Sequence, residues 1–266
     1  SSCCLITLLY RKIKSADNFC VHKKKDIQKM KFLKIFAVLG LINGDVLAES
    51  DIDPEALAKR SLSQLANAEV ISVDGAVSEE AVLSQGLKIR SHREGSILLS
   101  RSRGFMFSRS GALVNQVVSY DGSTVYGVGH TSKIFVSVPV SGTNDEVMDI
   151  LTSQAGAYLP GRDLFYADVA EELLAEVSES HYLGLAPING AACHYVVMRG
   201  PDVDWHLWMN EQDLLPCKYM ITSKWMAGAP EFEITFSNWD LNPAISDSSF
   251  TMSAPEGYAR AKCVDM

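Results

Sequence analysis

Residues 191–241 read AACHYVVMRGPDVDWHLWMNEQDLLPCKYMITSKWMAGAPEFEITFSNWDL. Four strands fit this stretch: 191–199, 203–210, 215–225 and 231–240. Gly200-Pro201-Asp202 turns the first pair, and residues 226–230 turn the last. Successive strand residues face opposite sides of a sheet. A three-residue first turn sets Val197 opposite Trp205, Tyr195 opposite Leu207 and Cys193 opposite Met209. One face then carries Tyr195, Val197, Trp205, Leu207, Met209, Tyr219, Ile221, Phe232, Ile234 and Phe236. The other carries His194, Asp204, His206, Lys218, Thr222, Lys224, Glu233, Thr235 and Ser237. This is an antiparallel meander with one apolar and one wet face. The apolar face must be covered by helices, by a lipid-like ligand, or by both.

The rest of the chain supplies the cover. Asp53 is a good N-cap and Pro54 suits a first helical position, so a helix starts there and runs to about Asn67. Between 69 and 140 the pattern is one of short strands. Asp74-Gly75, Glu94-Gly95, Arg103-Gly104, Ser110-Gly111 and Asp121-Gly122 read as the turns between them. Thr143-Asn144-Asp145-Glu146 is a capping-box signature for a helix ending near 159–161. A further helix is expected from Asp163 to Ala175. The class is therefore α+β, with helices set against one face of an antiparallel sheet, and residues 49–266 read as a single domain.

Charge divides the chain. Residues 1–48 hold nine Lys/Arg and three Asp, a net of +6, which leaves 15 basic and 29 acidic residues in 49–266, a net of −14. Residues 30–48 read MKFLKIFAVLGLINGDVLA. Lys31 and Lys34 form a cationic start, an apolar run of signal-peptide length follows, and Val46-Leu47-Ala48 offers small residues for cleavage after Ala48. Export to the periplasm is expected, with residues 1–29 an extension upstream of the start at Met30. An acidic exported body argues against nucleic acid as a partner, and no transmembrane segment is expected in the mature chain.

Cleavage would remove Cys3, Cys4 and Cys20 and leave Cys193, Cys217 and Cys263. In the register above, Cys193 and Cys217 are separated by a whole strand. Two strand spacings are about 9.5 Å, whereas disulfide Cα atoms rarely lie more than about 7 Å apart. No Cys193–Cys217 bond is expected.

Several motifs in order carry a resemblance: Asp53-Pro54-Glu55-Ala56-Leu57, Tyr120-Asp121-Gly122, Gly161-Arg162-Asp163-Leu164-Phe165-Tyr166, Gly190 to His194, Asp202 to Trp208 (DVDWHLW), Leu215 to Lys218, and Trp239-Asp240-Leu241-Asn242-Pro243. Over roughly 50–260 the chain resembles a family of predicted periplasmic proteins of unknown function, similar in fold to the lipoprotein carriers LolA and LolB. The resemblance implies a curved antiparallel half-barrel with helices on its concave side. In the carriers that interior holds acyl chains. One departure stands out: the family tends to have an Arg-Pro step in the early strands, where this chain has Arg103-Gly104.

Three candidate sites follow. The first is the apolar face of the meander, a hydrophobic-ligand site in which Met and aromatic side chains adapt to a flexible guest. The second is a run of six cations, Lys88, Arg90, Arg93, Arg101, Arg103 and Arg109, against one acid, Glu94. It could meet an anionic headgroup, membrane surface or acidic partner, or simply solvate a strand face. The third, His194 with Asp202, Asp204 and His206, has metal-ligating chemistry but reads as exposed cross-strand pairs. No nucleophile elbow, zinc-protease helix or phosphate loop occurs, so no enzyme activity, metal or cofactor is expected. The expected function is binding or carriage of an acyl, lipid or lipoprotein ligand. The alternative is an envelope protein-interaction or sensing module whose interior is plugged.

Overall fold

A computed structural model describes residues 52–261, apart from 84, 85, 113, 154–158 and 160. The export signal, the upstream extension and Cys263 lie outside the described residues. Helix α1 (Pro54–Asn67) leads into six strands: β1 (Val70–Val82), β2 (Lys88–Ser100), β3 (Gly104–Gly111), β4 (Val114–Tyr120), β5 (Thr124–Gly129) and β6 (Ile134–Pro139). Helix α2 (Asn144–Ser153), a 3-10 turn (Arg162–Phe165) and helix α3 (Val169–Ala175) follow. A second meander then runs through β7 (Glu179–Ile188), β8 (Ala191–Arg199), β9 (Val203–Asn210), β10 (Pro216–Ser223) and β11 (Glu231–Leu241), and β12 (Ala259–Arg260) closes the order. All twelve strands form one open, curved sheet in the order β12-β6-β5-β4-β3-β2-β1-β11-β10-β9-β8-β7. Every pairing is antiparallel except β12 with β6.

The starts of α1 and α2 sit where the sequence places them, and for the reasons it gives; the end expected for α2 near 159–161 is approached through residues outside the described ones. The Asp53 carboxylate accepts from the Glu55 and Ala56 amides at 3.0 and 3.1 Å. The capping box is reciprocal: the Thr143 amide donates to Glu146 Oε2 at 2.8 Å, and the Glu146 amide donates to Thr143 Oγ1 at 3.3 Å. The helix expected over Asp163–Ala175 is broken. Tyr166 is extended at φ −70°, ψ 152°, between the 3-10 turn and α3. Its hydroxyl holds it there, donating to Asp149 Oδ1 at 2.6 Å and accepting from Arg162 Nε at 2.7 Å.

Leu57, Ala58, Leu62 and Leu65 of α1 are buried together with Val196, Met198, Trp205, Leu207, Met209 and Tyr219 of the second meander. Ser61 Oγ donates to the Leu214 carbonyl at 2.6 Å, fastening α1 to the loop between β9 and β10.

The motifs of the C-terminal half clamp the two meanders together. Opposite Val73, β11 carries one extra residue, with Asn238 at φ 55°. This bulge turns Trp239 toward Phe236 and Phe165, at ring distances of 5.1 and 6.5 Å. The indole donates to the Pro216 carbonyl at 2.7 Å. Asn242 Oδ1 accepts from the amides of Glu69 and Val70, where β1 begins.

Two expectations are corrected here. The register of β8 against β9 is shifted by one: Val197 opposes His206, Met198 opposes Trp205, and Tyr195 opposes Trp208. The turn at Gly200-Pro201-Asp202 pairs Arg199 with Asp204, leaving four residues between them rather than the assumed three. Every side chain of β8 therefore changes face. The second correction is the disulfide: Cys193 and Cys217 are bonded, with their Cα atoms 6.8 Å apart. Cys193 opposes Asn210, the last residue of β9, and Cys217 sits in a bulge between Pro216 and Lys218. The bridge crosses the end of the intervening strand, where flat-sheet spacing does not hold. It closes a loop of sequence separation 24, so the double variant Cys193→Ser/Cys217→Ser is expected to lose about 3 kcal/mol in urea unfolding. Peptide mapping of the oxidised protein should recover the 193–217 pair. A loss under about 1 kcal/mol would contradict a structural role for the bond.

Candidate functional site

Most of the expected ligand face is already occupied. Trp205, Leu207, Met209 and Tyr219 are buried beneath the helices, and Ile221 is half-buried against the same core. Tyr195 and Val197 are not on this face. They lie on the convex side, where Tyr195 stacks on Trp208 at 4.2 Å and its hydroxyl shares a hydrogen bond with His206 Nδ1 at 2.7 Å. Lys218 Nζ rests 4.9 Å over the Trp208 ring. Burial lowers the His206 pKa, favouring the neutral imidazole.

Open space remains farther along the concave face, at the seam between the meanders. Gly75 of β1 stands opposite Gly95 of β2. These glycines were expected to mark turns, but they lie in the middle of two thirteen-residue strands. A Cβ on Gly75 would come 2.6 Å from Ile234 Cδ1, and one on Gly95 would come 2.4 Å from the Ser108 carbonyl oxygen. Both positions need the missing side chain because neighbouring atoms approach so closely.

Beside this pair runs an apolar slot lined by Val73, Val77, Ile97, Phe107, Val118, Leu159, Ile234 and Phe236, with Arg93, Arg109 and Gln116 on its polar side. Its cavity volume is about 70 Å3, and it is partly open to solvent. Of the ten residues expected from sequence, Ile234 and Phe236 line the slot; Phe232 is buried beside it, against Gly161. The remaining lining was missed. The available signal was a glycine at the same place in two adjacent apolar-rich strands.

The six cations do not form one patch. Arg93 pairs with Glu79 on the concave face. With the Gln116 amide oxygen toward it, Arg109 donates to that oxygen from Nε and Nη2 at 2.8 and 2.6 Å. Arg101 is partly buried and structural: it donates to the Phe165 and Leu65 carbonyls at 2.6 and 2.9 Å, joining the 3-10 turn to the end of α1. Arg103 pairs with Asp247 at 3.1 Å. Lys88 and Arg90 both hold Glu80, at 2.9 and 2.8 Å. The His194 constellation is also split. His194 pairs with Met209 and bonds the Tyr182 hydroxyl at 3.0 Å, whereas His206 faces the other side of the sheet. Among the described residues no group of three or more His, Cys, Asp or Glu is placed to hold a metal.

The family model described as predicted periplasmic protein (DUF2092) matches residues 55–263. The chain belongs to this family. DUF2092 thus agrees with the periplasmic resemblance read from the sequence motifs, and the open, curved, mostly antiparallel sheet is the fold those motifs imply. No curated protein sequence matches the chain. Among solved structures, LprF from Mycobacterium bovis is 14% identical, with a TM-score of 0.44 over 77% of this chain and 97% of its own. The MucA/MucB complex of Pseudomonas aeruginosa contains a chain 13% identical, with a TM-score of 0.41 over 76% of this chain and 62% of that one. A LolA superfamily protein from Nitrosomonas europaea is 11% identical, with a TM-score of 0.36 over 76% and 98%. Likeness at this level carries no inference about ligand or partner.

One carboxylate makes a pH prediction. Hydrogen bonds from Arg90 and then Lys88 hold the Glu80 pKa down to about 2, against an ordinary value of 4.5. A depressed carboxylate stabilises the fold above its unfolded pKa, and that contribution is lost as pH falls through the folded one. The Glu80 share of stability is therefore expected to be complete above about pH 5 and to fade between about 4.5 and 2. Glu80→Gln should flatten that part of a stability-versus-pH curve measured by urea unfolding. An unchanged acid limb would contradict this.

Proposed function

We propose that this chain is an exported periplasmic protein that binds or carries a hydrophobic ligand, an acyl chain, lipid or acylated protein, in the slot at the β1–β11 seam. The carrying observation is the apolar slot that runs past the Gly75–Gly95 pair, on a face that helices otherwise fill. Arg93, Arg109 and Gln116 give it a polar side suited to the head of an amphiphile. The reading assigns no chemical step.

The test is mass spectrometry of organic extracts from natively purified protein, with displacement of a fluorescent fatty acid as the solution assay. Val77→Trp fills the slot at a half-buried position and should weaken binding about ten-fold or more while the melting temperature holds. Absence of both extracted lipid and displacement would overturn the reading.

The helix-filled half of the concave face favours a second reading, an envelope protein-interaction module. In that case crosslinking in cells recovers a defined partner whose binding is indifferent to added lipid. Export itself predicts that protein recovered from the periplasm begins Glu49-Ser50-Asp51 on N-terminal sequencing. A start at any residue before Glu49 would refute cleavage after Ala48.

A further inference from the structure

Of the seven large apolar side chains exposed among the described residues, five gather at one rim of the sheet, and the other two, Leu183 and Leu185, lie on the edge strand β7. β3 pairs with β2 only as far as Arg93, opposite Gly111, whereas β1 and β2 continue to Val82 opposite Lys88. The β1–β2 hairpin therefore projects five residues, about 17 Å, past the end of β3. Leu83 and Leu87 close it, the Leu83 amide donating to the Leu87 carbonyl at 2.8 Å. Leu87 is 61% exposed, Ile89 44% and Leu83 38%.

The loop between β10 and β11 folds onto the same hairpin: a Cβ on Gly228 would stand 3.1 Å from Val82. That loop presents Trp225, 69% exposed, and Met226, 42% exposed. Two adjacent tips thus expose five large apolar residues in a chain that buries its other indoles far better. Trp205 and Trp208 are buried, and Trp239 is half-buried.

The charge pattern narrows the occupant. The body of the chain is strongly acidic, yet no Asp or Glu occurs between Glu80 and Glu94, or between Asp213 and Glu231. Lys88, Arg90 and Lys224 flank the apolar tips. The acids nearest them are already engaged: Glu80 with Lys88 and Arg90, Glu231 with Arg90, and Asp204 with Lys224 at 2.7 Å. The rim is therefore apolar and locally balanced in charge, so an anionic surface does not repel it. Trp, Met and Leu beside Lys is the composition that settles at the headgroup–acyl boundary of a bilayer.

We propose that Leu83, Leu87 and Ile89 of the β1–β2 hairpin and Trp225 and Met226 of the loop between β10 and β11 form a membrane-docking rim, whose occupant is a phospholipid bilayer surface. The rim continues the concave face of the slot. From Val77 opposite Arg93, the same face runs through Ala81 opposite Ile89 to Leu83 and Leu87. Docking would bring the slot's strands to the bilayer, but the inference stands on the exposed rim alone and does not need a ligand in the slot.

The experiment uses the mature chain with vesicles of phosphatidylethanolamine and phosphatidylglycerol. Flotation measures binding, and lipids brominated in the acyl chains report on indole depth. The expected result is co-flotation that survives high salt, with Trp emission quenched by the brominated lipid. Trp225→Phe should remove the quenching and keep the binding. Leu87→Ser/Met226→Ser, both at exposed positions where folding is not at stake, should weaken binding about ten-fold or more. Filling the slot with Val77→Trp should leave flotation unchanged, which separates this inference from the ligand reading. Three results would each overturn it: protein that stays in the soluble fraction, binding abolished by salt with no quenching, or a rim occupied by an envelope protein in the absence of lipid.

Discussion

The pairing of β1 with β11 is the constraint on which the rest of the molecule depends. Every other antiparallel pair joins strands adjacent in sequence, whereas this one joins two meanders separated by the helical segment. Long-range pairing of this kind is entropically costly, because the intervening chain must be ordered before the contact forms. The sequence reinforces it at several levels. Asn242 caps the start of β1, the bulge at Asn238 turns Trp239 onto Phe165, and Arg101 ties the 3-10 turn to the end of α1. The WDLNP and GRDLFY motifs are therefore parts of one clamp, although about seventy residues separate them in sequence.

The same seam accounts for the slot. A long one-sided sheet has more apolar surface than the three described helices cover: α1 packs on β7, β8 and β9, and the start of α2 is tied to the end of β2 by the Asn144–Ser100 bond. At the seam Gly75 and Gly95 remove two side chains from the concave face: a Cβ at Gly95 would meet the Ser108 carbonyl, and one at Gly75 would have to push aside the end of the Ile234 side chain. Elsewhere on that face large side chains interlock, as close packing requires. The slot is thus a consequence of backbone approach combined with incomplete helical cover. A special set of polar residues is not what creates it.

The convex face follows different chemistry. There the shifted register brings Tyr195, Trp208, His206 and Lys218 into one stacked row beside the Cys193–Cys217 bridge. Aromatic stacking and a disulfide stiffen a part of the sheet that no helix supports from outside. The wet face inferred from alternation is therefore partly an aromatic one. The turn length brings Tyr195 to this face, whereas Trp208 shares it with His206 by alternation alone.

By itself the sequence determined β8 to β11 to within one or two residues, because alternation and turn residues are local signals. It determined the caps of α1 and α2 for the same reason: Asp53 and the Thr143–Glu146 box act within one turn of helix. It also determined the asymmetry of charge and the one-sidedness of the sheet. Only the tertiary structure decided which residues share the concave face of β8, since a one-residue change in a turn inverts a whole strand. Only it showed that Asp74-Gly75 and Glu94-Gly95 lie within strands, because a glycine reads alike in a turn and in a close approach until the neighbour is known. Likewise, only it dispersed the six cations. Arg93, Arg101 and Arg109 belong to three different contacts, made by elements that sequence distance cannot bring together.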